Sequence, residues 1–80
     1  MKIRVTEIDS RAVKSYEWVG EADRYGMGTL TIEFQSGKVY DYFDFPFGAI
    51  EKMVATDSIG QYVNTDIKPF YHFKEVTPIF

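Results

Sequence analysis

The sequence predicts an α+β domain, in which an antiparallel β-meander of three or four strands is followed by two short helices packed on one face. Three observations support this fold class. Apolar and polar residues alternate in the first half of the chain, a glycine turn joins two of the alternating stretches, and apolar residues recur at helical spacing after Pro46. Eighty residues suffice for one modest core, so we treat residues 1–80 as a single domain.

The stretch from Thr29 to Pro46 has the clearest strand pattern and predicts a β-hairpin. Apolar residues occupy every second position of its first strand, at Leu30, Ile32 and Phe34. Ser36-Gly37 supplies the turn, because glycine adopts a positive φ without steric cost. The return strand is expected from Lys38 to Phe45.

The length of the hairpin loop decides which residues of the return strand face the core. A two-residue loop places Asp41 opposite Ile32 on the buried face, whereas a three-residue loop with Gly37 in a bulge places Tyr40 and Tyr42 there. An unpaired buried carboxylate is costly, so we favour the three-residue loop.

The segments before the hairpin predict two further strands. Met1–Ile8 alternates well enough for a short strand, and Ala12–Val19 is rich in aromatic and β-branched residues. The second pattern is imperfect and indicates an irregularity near Ser15. Glu21–Gly28 contains two glycines and is expected to be a loop.

Helical spacing begins after Pro46, a residue suited to a first helical turn. The first helix is expected to bury one face, formed by Phe47, Ile50, Met53 and Val54. A second helix, with Ser58 as a possible cap, is indicated by Ile59, Tyr62, Val63 and Ile67. Pro69 ends it, and Phe70–Phe73 is expected to be a short aromatic turn. The apolar tail Val76–Phe80 either packs as an edge strand or requires a partner.

Composition limits the functional classes. The chain is 45% apolar and 18% aromatic, which supports a folded core, and it has no cysteine. No apolar run is long enough to span a membrane and no signal peptide is recognisable, so we expect a cytoplasmic protein without a membrane partner. Nine basic residues are scattered among twelve acidic ones, for a net charge of −3, which disfavours a long polyanion as ligand.

No recognised catalytic or metal-binding motif is present. The candidate groups do not have a ligand spacing such as His-x-x-x-His, and they are Asp41, Asp44, Asp57, Asp66 and His72. We interpret His72 as a partly buried packing residue between two aromatic neighbours. We therefore expect no catalytic residues, no metal and no cofactor.

A series of short features, individually weak, is specific in its order and spacing. It comprises the strand Leu30–Phe34, then Gly37, Tyr40 and Tyr42, Phe45-Pro46, Ser58 and Gly60, Tyr62 and Asn64, Ile67 and Tyr71. Over about residues 13–72 this series resembles the KTSC domain. That small domain occurs at the C-terminus of some lysyl-tRNA synthetases and as a stand-alone protein in bacteria and phages. The resemblance implies a binding domain, and RNA binding has been suggested for the family.

We expect a non-catalytic binding module for a nucleic acid or a small nucleotide. If the gene is phage-borne, the module would sequester a host nucleotide signal. The ligand site is expected in the groove between the Tyr40–Tyr42 strand and the segment Ser58–Tyr71. Its candidate residues offer cations for phosphate, rings for stacking and polar groups for hydrogen bonds: Lys38, Lys68, Tyr40, Tyr42, Tyr71, Ser58 and Asn64. In the alternative interpretation these residues only pack the helices on the sheet.

A second functional hypothesis is a protein-interaction module. It would dock on a larger enzyme, or on itself, through the segment Phe70–Phe80. The apolar tail Val76–Phe80 lies beyond the resemblance and leads us to expect a homodimer or a higher oligomer.

Overall fold

The computed structural model describes residues 1–21 and 26–76. The described chain forms one five-stranded antiparallel sheet, in which the strands lie in the order of the sequence. The helices come between the fourth and the fifth strand. The strands are β1 (Lys2–Val5), β2 (Val13–Gly20), β3 (Met27–Phe34), β4 (Val39–Pro46) and β5 (Phe73–Val76). The helices are α1 (Phe47–Ala55) and α2 (Ile59–Tyr62), and α2 continues into a π-helical segment, Val63–Ile67, which we call the π-turn.

The predicted α+β meander is confirmed, but the sheet has five strands rather than three or four. The additional strand is β5, which pairs antiparallel with β4 and places Phe73 opposite Tyr42 and Val76 opposite Val39. The expected aromatic turn therefore ends one residue early, and Phe73 begins a strand. Two consecutive charged residues in the middle of β5 hide the alternating pattern. The expected edge strand of the tail falls largely on residues 77–80, outside the described residues.

The hairpin turn has the three-residue geometry that the sequence favours. Gly37 has a φ of 92°. The Phe34 N–H donates to the Lys38 carbonyl at 2.9 Å, and the Gly37 N–H donates to the Phe34 carbonyl at 2.9 Å. Asp41 consequently lies on the other face of the sheet from Tyr42, where it accepts a 2.6 Å hydrogen bond from the Thr31 hydroxyl.

A bulge in β4 places two large aromatic side chains in the core. Phe43 and Asp44 lie between the buried residues Tyr42 and Phe45 and are both exposed. Asp44 adopts a φ of 53°, a left-handed conformation that Asp tolerates better than most residues. Without the extra residue, strict alternation would turn Phe45 to the opposite face from Tyr42.

Two glycines make room for Trp18, the largest buried side chain. A Cβ atom on Gly28 would lie 2.6 Å from Cε2 of Trp18, and one on Gly20 would lie 2.7 Å from its Cζ2. The indole therefore covers a part of the sheet where β2 and β3 carry no side chains. The sequence-based expectation of a loop over Glu21–Gly28 is wrong for its last two residues, which begin β3, while residues 22–25 lie outside the described residues.

The helices pack on one face of the sheet, as expected. The buried side chains come from both layers and are Val13, Tyr16, Trp18, Leu30, Ile32, Tyr42, Phe45, Ile50, Met53, Ile59, Val63 and Ile67. Two expectations about burial are wrong. Val54 of α1 is exposed, because the buried face of the helix is centred on Ile50 and Met53. His72 is exposed, whereas the sequence predicts that it is partly buried.

The opposite face of the sheet carries polar contacts between neighbouring strands. No described helix packs on this face. Lys2 and Glu17 form an ion pair at 3.2 Å, and the Ser15 hydroxyl donates to Glu33 at 3.3 Å. Among the described residues, no helix has the length and apolar character needed to cross a membrane.

Candidate ligand-binding cleft

Two adjoining cavities form a cleft between the sheet edge and the end of the π-turn. They share Tyr40 and Lys68. The first, which we call the basic compartment, has a volume of about 320 Å³ and is lined by Arg11, Ala12, Phe34, Gln35, Ser36, Lys38, Tyr40 and Lys68. The second, the aromatic compartment, has a volume of about 260 Å³ and is lined by Tyr40, Tyr42, Lys68 and Phe73.

Three cations from different parts of the chain meet at the basic compartment. Lys38 follows the hairpin turn, Arg11 precedes β2, and Lys68 follows the π-turn. No acidic residue contributes to this lining within the described parts of the chain. In a chain with a net charge of −3, this is a local site of positive potential that favours an anion.

Backbone contacts explain how Arg11 reaches the hairpin. The Gln35 N–H donates to the Ala12 carbonyl at 2.8 Å, and the Gln35 side-chain amide donates to the Ser10 carbonyl at 3.3 Å. These bonds hold the segment before β2 beside the hairpin loop. Arg11 therefore lines the same compartment as Lys38 because of contacts between residues distant in sequence.

The π-turn positions Lys68 over an aromatic ring. The Lys68 N–H donates to the carbonyl of Val63, five residues earlier, at 2.9 Å. Its ammonium lies 5.3 Å from the centroid of the Phe34 ring, within the range of a cation–π interaction. Short π-helical segments of this kind are frequent at functional sites.

Aromatic rings continue from the basic compartment to the sheet edge. The Tyr40 ring makes edge-to-face contacts with Phe34 on one side, at 5.6 Å, and with Phe73 on the other, at 5.4 Å. Such pairs are favourable beyond their buried area. Phe73 is nevertheless 58% exposed, so the residue is accessible to a ligand.

The Tyr42 hydroxyl is an unused polar group in the aromatic compartment. The residue is only 2% exposed, yet its hydroxyl has no hydrogen-bond partner among the described residues. No side-chain nitrogen or oxygen atom of the described residues is both fully buried and unpaired, and Tyr42 lines the aromatic compartment. Burial, followed by the nearby Tyr40, raises the pKa of Tyr42 above its ordinary value, which keeps the hydroxyl protonated.

The structure brings four of the seven expected site residues together: Lys38, Tyr40, Tyr42 and Lys68. Ser58, Asn64 and Tyr71 do not line the cleft. Ser58 borders a separate depression, and although it is the N-cap residue of α2, its side chain makes no capping bond. Asn64 is exposed on the π-turn, and the Tyr71 ring packs on Phe45 with centroids 4.7 Å apart.

Of the charged and aromatic residues that line the cleft, the sequence does not predict three: Arg11, Phe34 and Phe73. The sequence pattern places Phe34 in the core and Phe73 in a turn. The family resemblance extends to about residue 72, just before Phe73. Arg11 follows no periodic pattern, so only the pairing of the residues around it reveals its position. Within the described residues, no group of three or more His, Cys, Asp or Glu side chains is arranged to hold a metal ion.

Comparisons with known proteins add the family context. The family model of the KTSC domain matches residues 9–73. A segment of 49 residues is 43% identical to the lysine–tRNA ligase of Nostoc punctiforme, 39% identical to that of Trichormus variabilis and 37% identical to that of a Nostoc species. Each match covers 61% of this chain and 9% of the ligase, so the similarity is confined to a small segment of those enzymes. No solved structure matches the chain.

Proposed function

This chain belongs to the KTSC domain family, and we propose that it is a non-catalytic binding domain that holds a small nucleotide or a short RNA in the cleft around Tyr40 and Lys68. The related segments occur in enzymes whose names give tRNA as a substrate. A domain carried by a phage would use the same site to sequester a nucleotide signal of its host.

One observation carries this proposal: three cations and an exposed aromatic ring meet in a cleft whose described lining contains no carboxylate. Lys and Arg side chains bind phosphate oxygens through charge-assisted hydrogen bonds. An exposed ring can stack on a base, which contributes about 1–3 kcal/mol per base. Both halves of a nucleotide therefore have a partner within one cleft.

The charge of the chain sets the size of the ligand. Binding along a polynucleotide requires many cations, because its affinity depends on counterion release at each contacted phosphate. Here the cations outside the cleft are scattered among acidic residues, and the net charge is −3. The site therefore fits a ligand with few phosphates better than a long strand.

Isothermal titration calorimetry with linear and cyclic mononucleotides and short oligoribonucleotides tests the proposal. Lys68→Glu should abolish binding while changing the free energy of unfolding little, since a single exposed charge contributes little to stability. Lys74→Glu is the matched control, because Lys74 is an exposed lysine nearby that does not line the cleft. If the parent binds none of these ligands at about 100 μM, an affinity of about 5.5 kcal/mol, nucleotide binding is excluded.

Self-association is the second candidate function, and the exposed edge of the sheet favours it. β5 is the last strand in the sheet order, so its outer backbone groups have no neighbouring strand among the described residues. Phe73 in this strand and Phe70, three residues before it, are both exposed. An edge of this kind can pair with the same edge of a second copy and give a dimer.

A further inference from the structure

We infer that the cleft binds the two ends of a single nucleotide separately, with a phosphate in the basic compartment, the base in the aromatic compartment, and the Tyr42 hydroxyl hydrogen-bonded to the edge of the base. This inference rests on the proposed function and goes further. It assigns an orientation, a minimal ligand and a residue that selects among bases.

The first support is the segregation of charge between the compartments. Arg11 and Lys38 line only the basic compartment. Lys68 is the one charged residue of the aromatic lining within the described chain, and it stands where the two compartments join. A phosphate at the basic end contacts all three cations, whereas at the aromatic end it contacts one.

The second support is the difference between the two outer rings. The ammonium of Lys68 already occupies a position over the Phe34 ring, at 5.3 Å from its centroid. Phe73 has no such cover from Lys68 and is 58% exposed. A base therefore stacks on Phe73 without displacing Lys68, and Lys68 stays in place to contact the phosphate.

The third support is the hydroxyl of Tyr42, a buried residue that lines the aromatic compartment. A tyrosine hydroxyl both donates and accepts hydrogen bonds, and this one has no partner among the described residues. A base that enters the compartment displaces water from the hydroxyl and must replace the lost hydrogen bond. Bases with a polar edge at that point are selected over those without one, because an unsatisfied buried hydroxyl is costly.

Tyr40 and Lys68 line both compartments, so the compartments meet at these two residues. The part of the ligand that joins the phosphate to the base lies at this junction, and we assign it to the sugar. A nucleoside monophosphate is therefore the minimal ligand that fills the cleft. A short RNA binds through one nucleotide, with the rest of the strand outside the two compartments.

The test compares three probes: the four nucleoside 5′-monophosphates, the corresponding nucleosides, and inorganic phosphate. Lys38→Ala should weaken the monophosphates by about tenfold and leave the nucleosides unchanged. Tyr42→Phe should weaken the preferred monophosphate and its nucleoside by about tenfold and leave inorganic phosphate unchanged.

Matched controls separate these effects from a loss of folding. Tyr16→Phe removes the hydroxyl of another almost fully buried tyrosine, one that lines a different groove, and should not change binding. Lys52→Ala removes an exposed lysine of α1, outside the cleft, and should not change it either. Chemical-shift mapping on the parent needs no variant: inorganic phosphate should perturb the amides near Lys38, and a nucleoside those near Phe73.

The outcomes distinguish the inference from the proposed function. If the parent binds none of the probes, the inference is wrong, and the proposed function fails with it only if the cyclic nucleotides and the short oligoribonucleotides do not bind either. If the monophosphates bind but Tyr42→Phe weakens inorganic phosphate as much as the nucleoside, or has no effect on any probe, nucleotide binding stands and the assigned orientation is wrong. Shifts near Phe73 on adding inorganic phosphate would overturn the orientation as well.

Discussion

The indole N–H of Trp18 donates a 2.8 Å hydrogen bond to the carbonyl oxygen of Phe45, a residue 27 positions later in the chain. This buried bond joins β2 to the end of β4, two strands that are not neighbours in the sheet. It satisfies the Phe45 carbonyl immediately before the chain leaves the sheet for α1.

We expect Trp18→Phe to destabilise the domain by about 2–4 kcal/mol. The substitution leaves the Phe45 carbonyl without its buried donor and replaces a fully buried indole by a smaller ring, so both an unsatisfied group and a cavity contribute. Urea unfolding followed by circular dichroism measures the change. A midpoint equal to that of the parent would show that the bond contributes nothing to stability.

Two glycine substitutions should change stability in opposite directions. Gly28→Ala forces a Cβ atom to within 2.6 Å of the Trp18 ring, and an added atom of this kind costs about 1–3 kcal/mol or more. Gly48→Ala lies in α1 with open space around the new atom, so it should stabilise the helix by up to about 1 kcal/mol. Thermal unfolding of the two variants side by side tests this, and equal shifts of the same sign would contradict it.

Gly37→Val should cost more than about 1 kcal/mol, because a β-branched residue resists the left-handed backbone of the hairpin turn. A Cβ atom at this position would have no other atom within 4 Å, so the effect reports on backbone conformation rather than on packing. The denaturation midpoint is the measurement. A change within experimental error would mean that the loop adopts another turn without cost.

Stability should fall at alkaline pH because of buried tyrosines. Burial raises the pKa of Tyr42 and of Tyr16 above the ordinary value of 10.0. The unfolded chain then loses these protons at a lower pH than the folded chain, so the stabilisation is complete below pH 10.0 and is lost as the pH rises through the higher folded values. Urea unfolding at about pH 8 and about pH 11 should show the decrease, and Tyr42→Phe should reduce it. An unchanged free energy of unfolding between these values would refute the assignment.

Self-association predicts a mass above that of the monomer in sedimentation experiments. A chain ending at Lys74 lacks the second half of β5 and the apolar residues that follow, and it should sediment as a monomer. Circular dichroism of the shortened chain checks that it remains folded. A monomeric mass for both chains would exclude the dimer.

The hairpin and the helices were predictable because their signals are local. The signals are the alternation of Leu30 and Ile32 and the glycine after Ser36, and each extends over only a few residues. The cost of burying the Asp41 carboxylate predicts the register that the structure shows. The buried face of α1 was predicted in the same way, apart from Val54, which lies at its margin.

The remaining features depend on contacts between distant parts of the chain. β5 forms because β4 offers it a free edge, although its own sequence has weak strand character. The sequence pattern places Gly28 in a loop. The absence of a side chain at Gly28 makes room for Trp18, and this contact arises only when β2 and β3 pair. Part of the cleft has the same origin, since Arg11 and Phe73 reach it through contacts that no short stretch of sequence specifies.

The pitch of the π-turn sets the direction of Lys68. A π-helical turn contains about one residue more than an α-helical turn, and each residue of an α-helix advances the chain by about 100° around the axis. With an α-helical pitch over the same residues, Val63–Ile67, Lys68 would leave the helix at a different angle and would no longer lie over Phe34. The position of this cation therefore depends on backbone geometry as well as on the identity of the side chain.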